Sequence, residues 1–349
     1  MYPILFSEIS CYLNTSLAWL GNGILVYLIV RKSPRSMANY KYLMLTFSTF
    51  GVLFGVIDIT NQPMLHFFGG AYVIFSRNPL RLPRKLSFWY ISLNCSCYGM
   101  TLSLLAFHFV YRYLAVCKPH KLHFFSYPYF NIPIGIFLFV TLEWWITAVL
   151  MAGESEEVDE YIKETMLETF GLEKNDYTYA SSLFYRIDPI TGMEHLSILD
   201  LVFVANISVI ITTGFSIIIF CWLNLRSRLL ESARQSHSQR TLDMQRQLFR
   251  ALVAQTVLPV FVMFVPAAIL LVFPLFRLEP GPSEALVLSL ITTQPFIDAL
   301  VPMYFIKDYR RAIKRFFGRN GDNLRVLQVS SVNFNFEERT VSRGVSLKN

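Results

Sequence analysis

Apolar residues in this chain fall in long runs separated by short polar segments, not in the narrow stripes of water-facing helices. A bilayer core of about 30 Å needs about 20 mostly apolar helical residues, since only a helix satisfies its own backbone groups in lipid. Seven segments reach that length, at residues 9–30, 42–66, 88–111, 132–151, 197–223, 251–275 and 285–306. The pattern predicts an all-α membrane protein, a seven-transmembrane helical bundle. A large soluble helical protein with buried core helices fits poorly with such long runs and so few internal charges. The first run is long, and no Ala-x-Ala-like site follows a positively charged start, so it reads as a retained helix and not as a cleaved signal peptide. No internal repeat is visible.

Composition supports this class, with 54% of residues hydrophobic and 16% charged, against about 25% charged in soluble domains. The net charge of +7 resides in short segments flanking the runs, a membrane pattern and not a nucleic-acid footprint. With the N-terminus outside, the cytoplasmic segments hold 23 of the 31 Lys and Arg residues, as the positive-inside rule requires. A multi-pass plasma-membrane protein with an outer N-terminus is therefore expected. One outer segment, 69–87, departs from the rule with Arg77, Arg81, Arg84 and Lys85 and no acid.

The other long outer segment, 152–196, carries eleven acidic and three basic residues and no cysteine. It reads as a solvated loop, as a lid over a pocket, or as a partner of the basic segment 69–87. The last would join two outer loops without a disulfide, although exposed ion pairs contribute only about 0–1 kcal/mol each. The five cysteines, Cys11, Cys95, Cys97, Cys117 and Cys221, lie in or beside apolar runs and form no disulfide framework.

No metalloprotease, nucleophile-elbow, Walker or Cys-x-x-Cys motif occurs, so neither catalysis nor a cofactor or metal site is expected. The informative residues are polar ones inside the runs: Asp58, Glu143, Asn206, Gln255, Gln294 and Asp298. An Asp at a helix centre costs about 2.5–3.5 kcal/mol on insertion scales, so such groups either serve function or tie helices together. In the outer half of the bundle, Asp58, Asn94, Cys97, Glu143, Asn206 and Gln294 would supply the few polar contacts of a small-molecule site. Pro259 and Pro266 interrupt one helix seven residues apart and predict a bend in a single direction, unless they serve packing alone. Residues 307–317 form a short basic amphipathic helix, with Arg310, Arg311, Lys314 and Arg315 facing an anionic inner leaflet at about 1 kcal/mol each. The polar stretch 318–349 reads as a disordered cytoplasmic tail, and no cysteine near it offers a palmitoyl anchor.

The third run ends HFVYRYLAVCKP at 108–119, placing Arg112 between Tyr111 and Tyr113 at the cytoplasmic mouth of a helix. This resembles the Asp-Arg-Tyr region of G-protein-coupled receptors. Together with YKYLML at 40–45, QLFRALVAQTVLP at 247–259 and DYRRAI at 308–313, it resembles the nematode Str-type serpentine chemoreceptors, a group that includes the diacetyl receptor. The resemblance implies a chemosensory receptor for a small organic odorant or metabolite, coupled to a heterotrimeric G protein alpha subunit, in the ciliary membrane of a sensory neuron. It implies Arg112 as a conformational switch and Pro259 as part of a sixth-helix motif. The alpha subunit would dock as a helix beside Arg112 and the basic segment 226–250.

Departures from the better-known receptors are several. Tyr111 stands where they carry an acid, and His108, four residues earlier, is a candidate partner for Arg112. Asp298 and Tyr304 occupy a seventh-helix motif that differs from Asn-Pro-x-x-Tyr, and the bridge from third helix to outer loop has no second cysteine. A transporter or channel is disfavoured by the odd helix number without repeat, and a retinal protein by a seventh run without lysine. A ligand-less escort for other receptors is a further alternative.

Overall fold

The computed structural model describes residues 2–33, 37, 40–126, 129, 131–188, 190–234, 239–279, 281–316 and 318. The helices are α1 (Tyr2–Lys32), α2 (Tyr40–Asn61), α3 (Arg84–Cys117), α4 (Asn131–Met151), α5 (Glu156–Phe170), α6 (Ile198–Arg234), α7 (Gln239–Pro259), α8 (Val265–Val272), α9 (Glu284–Thr292) and α10 (Gln294–Phe305). Five of them, α1, α2, α3, α4 and α6, are each long and apolar enough to cross a membrane, and so is the continuous α7–α8 segment. The seventh span is the pair α9 and α10, bent by 42°. The third span runs through the middle against α2, α4, α6 and α7, and α1 closes the ring on α2, α9 and α10.

Several helices outrun their apolar stretches, because a charge that reaches water does not end a backbone ladder. Both α6 and α7 continue through most of the basic segment 226–250, leaving 235–238 between them outside the described residues. Residues 319–349, assigned by composition to a disordered tail, also lie outside them. Between Pro259 and Pro266 the sixth span passes through a π-helical turn, Val260–Phe264, one recognised way to absorb a proline's missing donor. The sharp bend lies instead in the seventh span at Thr293, just ahead of Pro295.

Polar side chains tie the helices together. The Asn22 amide on α1 donates to the Pro295 carbonyl (3.0 Å), and its oxygen accepts from Ser48 of α2 (2.9 Å). Asn14 reaches the Ser289 carbonyl and the Thr292 hydroxyl of α9.

The two loops at one end of the bundle are not open coil. The apolar run 42–66 is divided at Pro63: α2 stops at Asn61, and β1 (Met64–Phe68) begins a hairpin with β2 (Ala71–Ser76). On the other side of β2, the acidic segment contributes β3 (Thr178–Leu183), making an antiparallel sheet in the order β1-β2-β3. The acidic residues Glu156, Glu157 and Asp159 open the first turn of α5, where they complement the helix dipole. Ser155 caps this helix by accepting from the Val158 N–H, and Gly171, at φ 68°, ends it. Val158, Ile162, Met166 and Phe170 of α5 recur every fourth residue and bury against Met64, Val73 and Phe75 on one sheet face. The opposite face turns Leu65, Tyr72, Ile74 and Ala180 toward the helices. A short hairpin, β4 (Tyr185–Ile187) with β5 (Glu194–Leu196), leads into α6. Of the three readings of segment 152–196, the joining of the two loops is the one seen, by strand pairing as well as the Arg84–Glu154 ion pair, and the result is an ordered α/β cap.

Ile162 is fully buried in this cap, so Ile162→Ala is expected to cost about 2–5 kcal/mol locally. Hydrogen exchange should then rise in 71–76 and 178–183 while α3 keeps its protection.

Candidate functional site

A cavity of about 100 Å³ lies directly beneath the cap. Its roof is Tyr72 and Ile74 of β2 with Ala180 of β3; its walls include Tyr98 of α3, Trp144 of α4, Phe203 of α6, and Met263 and Phe264 of the π-helical turn. The turn's Phe264 is held edge-on by Phe215 at 4.8 Å. The lining is almost wholly apolar. Its polar groups are Asn94, Cys95, the Trp144 indole N–H and the hydroxyls of Tyr72 and Tyr98, and the Tyr98 hydroxyl has no hydrogen-bond partner among the described residues.

Two cap contacts, one with the first residue of the seventh span and one with the segment leading into it, hold the roof in place. The Phe67 N–H donates to Glu284 (2.8 Å), and the Gly69 N–H donates to Glu279 (2.7 Å). These carboxylates satisfy a donor of the edge strand β1 and one of the turn that follows it. His66 Nδ1 lies 3.2 Å from the same Glu284, with Nε2 3.0 Å from the Thr165 hydroxyl of α5. On the far side, Arg84 at the start of α3 pairs with Glu154 (2.7 Å), and Arg186 bridges Glu157 and Asp200. The Tyr179 hydroxyl donates to Asp159 at 2.8 Å; burial first, and the adjacent carboxylate second, push its pKa well above the usual phenol range, keeping it a neutral donor.

Of the six polar residues expected at a ligand site, Asn94 alone lines this cavity, and it does so while donating to Asp58 at 3.4 Å. Asp58 is engaged below, accepting from Cys11 as well, and so joins α1, α2 and α3. Cys97 packs against Phe47, Phe50 and Phe54. Glu143 accepts from Asn206 (2.5 Å) and Thr147 (3.2 Å), clamping α4 to α6. Gln294 donates to Asp298 (2.8 Å) within α10. Sequence reasoning expected a few polar contacts among aromatic walls but could not say which aromatic residues build them.

At the end of the bundle opposite the cap, Arg112 is buried, with 3% of its surface exposed. It donates to the Gln245 side-chain oxygen of α7 and places its guanidinium 5.2 Å from the Tyr40 ring centroid. Its Nε has no partner among the described residues, and no carboxylate pairs with it there. His108 is not its partner: Nδ1 of His108 lies 3.2 Å from the Tyr40 hydroxyl, and Phe47 sits against the ring. Tyr111 packs on Tyr40 and Phe125, and Tyr113 faces away toward Phe220. Farther along, Gln255 of α7 donates to the Asp298 carbonyl at 3.2 Å.

Tyr304 departs from a switch position: it is 65% exposed, beside Phe305, with Arg310 above its ring. The buried tyrosine here is Tyr309, whose hydroxyl meets Ser33 at 2.6 Å and pins helical residues 307–316 to the bundle. Tyr309 and Ile313 recur four apart on the apolar face of that helix, the pattern by which the sequence marks it as amphipathic. Arg311, Lys314 and Arg315 are exposed along it, and Arg310 is half-buried.

Comparison with known proteins agrees with this architecture. The family described as serpentine type 7TM GPCR chemoreceptor Str matches residues 7–314. Serpentine receptor class r-10 of Caenorhabditis elegans is 25% identical over 305 residues, covering 87% of this chain and 88% of the relative. Its namesake in Caenorhabditis briggsae is 24% identical, covering 86% and 87%. The G-protein coupled receptor str-33 of C. elegans is 23% identical, covering 90% and 92%. These relatives are named receptors, not enzymes. With a bundle of seven spans and a family match running nearly its whole length, the chain belongs to the Str family of seven-transmembrane G-protein-coupled chemoreceptors.

Proposed function

We propose that the chain detects a small, neutral, mainly apolar organic molecule in the cavity beneath the cap and signals through a heterotrimeric G protein at the Arg112 end. The observation that carries this reading is the cavity itself. Apolar cavities on the order of 100–150 Å³ stay dry and admit a molecule of about benzene's size, and this one has the free Tyr98 hydroxyl as a directional contact. A charged ligand would find no counter-charge among the lining residues. The cap lies outside in this reading, which puts 23 of the 31 basic residues on the cytoplasmic side; the membrane is that of a chemosensory cilium, and 318–349 is a cytoplasmic tail.

Binding favours the active arrangement only through differential affinity for it. Met263 and Phe264 bring the cavity wall onto the sixth span, and Gln245 on the same span holds Arg112. Displacement of that span exchanges the Arg112–Gln245 contact for a groove inside the bundle among the ends of α3, α6 and α7, where the alpha subunit docks. A buried cation restrained by an amide and a ring, without a carboxylate, is a weak restraint and suits a switch.

Arg112→Ala should abolish ligand-dependent signalling in a cyclic-nucleotide or calcium reporter at unchanged surface expression. Ligand-driven current or uptake that persists in this variant without G protein would overturn the receptor reading. Gln245→Glu supplies the missing counter-charge, worth about 1.5–3 kcal/mol for a hydrogen bond to a charged group. Basal signalling should fall and the ligand dose-response should shift to higher concentration by about tenfold or more.

A methyl group at Gly99 would lie 2.5 Å from Trp144 Cε3, so Gly99→Ala should drive the indole into the cavity. A pocket that loses about a methylene of room discriminates by about 10–200-fold. Sensitivity to the smallest active odorants should fall at least tenfold (about 1.4 kcal/mol) with surface expression retained; an unchanged dose-response places the ligand elsewhere.

A further inference from the structure

A second concavity opens on the outer side of the bundle, between α3 and α6 and near the Arg112 end, with a volume of about 430 Å³. Val110, Tyr113 and Leu114 of α3 face Ser216, Ile217 and Phe220 of α6 across it. Tyr113 meets Phe220 edge-on at 5.8 Å, and Ile217 and Phe220 remain 40% and 56% exposed. Within a membrane these side chains meet lipid, and a groove left unfilled loses the dispersion contacts that a fitted chain would make.

The groove has a charged end. Lys118 follows α3 directly, is exposed, and holds its ammonium 5.7 Å from the Tyr113 ring centroid. It forms no ion pair among the described residues. Arg228 stands about two turns beyond Cys221 on the same face of α6. Its partner is Glu231 at 3.0 Å on its own helix, with both side chains more than half exposed, which leaves the pair weak.

We propose that this groove is a binding site for an anionic phospholipid of the leaflet at the Arg112 end, with an acyl chain along Tyr113, Ile217 and Phe220 and the phosphate at Lys118 and Arg228. The apolar trough, about 430 Å³ in volume, takes part of an acyl chain, and two cations at its membrane-surface end suit an anionic headgroup better than the lone hydroxyl of a sterol. Tyr113 adjoins Arg112, so the bound lipid sits against the helical turn that carries the switch cation. The site is independent of what occupies the cavity beneath the cap.

The test uses the full chain, purified in detergent after equilibration with vesicles of equal phosphatidylserine and phosphatidylcholine plus cholesterol, with retained lipid counted by native mass spectrometry. The wild type should retain phosphatidylserine over phosphatidylcholine by about fivefold, equivalent to about 1 kcal/mol for a basic residue at an anionic surface. Lys118→Glu, on an exposed side chain, should erase that preference. Ser216→Trp should fill the trough and remove the retained phospholipid at an unchanged melting temperature; if it fails to fold, the Lys118→Glu result decides alone. Equal retention of both phospholipids, a preference that survives Lys118→Glu, or retention of cholesterol alone overturns the proposal.

Discussion

The antiparallel pairing of β2 with β3 is the interaction on which the cavity depends. It joins the loop after the second span to the loop before the fifth, residue against residue from Ala71↔Leu183 to Ser76↔Thr178. Backbone hydrogen bonds here do the work that a disulfide would do elsewhere, in a chain whose cysteines are all free among the described residues. A sheet covered on one face only would present apolar side chains to water, so α5 is required on the other. Its inward face then becomes the ceiling of the cavity, and Glu284 and Glu279 hold its outer strand and the turn after it to the start of the seventh span and the segment leading into it. Remove that pairing and the cavity becomes an open mouth between helices.

Inside the bundle a different constraint governs: polar groups in lipid must be paired within the protein. This explains why the polar residues most visible in the sequence are mostly ties between helices. Asp58 gathers Cys11 and Asn94; Glu143 gathers Asn206 and Thr147; Asn22 gathers Ser48 and the carbonyl of Pro295. A ligand site for an apolar molecule has the opposite requirement, since paired polar groups in its wall would contribute nothing to binding. Aromatic and aliphatic residues build it, and these look like any other core residue in a hydropathy profile.

The spans were legible because insertion into lipid needs length and hydrophobicity, both written locally in the chain. The cap was not, since β1 hides at the end of an apolar run and β3 follows an acidic stretch; their partnership is non-local. Its helix was better marked than its strands: Ser155 as a cap, acids in the first turn, and Val158, Ile162, Met166 and Phe170 four apart are local signals. Arg112 stood out by its setting at a helix end. Its partner Gln245 did not, because a glutamine in a basic segment carries no mark until the fold brings α7 beside α3.

Both α3 and the sixth span run from the cavity to the Arg112 end, but only the sixth is interrupted between them, and that interruption bears on how a change at one end would reach the other. The π-helical turn at Val260–Phe264 is both a wall of the cavity and a weak point in the ladder of backbone hydrogen bonds. Below it, α7 is regular from Gln239 to Pro259, so in the proposed activation it would move as a rod. A rod hinged at the cavity and held at its far end by Gln245 would convert a small displacement of Met263 or Phe264 into a larger one at Arg112. Gln255, partway down, bonds the Asp298 carbonyl of α10, a contact such a motion would have to break. A stiff unbroken helix would couple the ends equally well but would have to move as a whole against every neighbour; the bulge lets the lower half swing while the upper half stays seated under the cap.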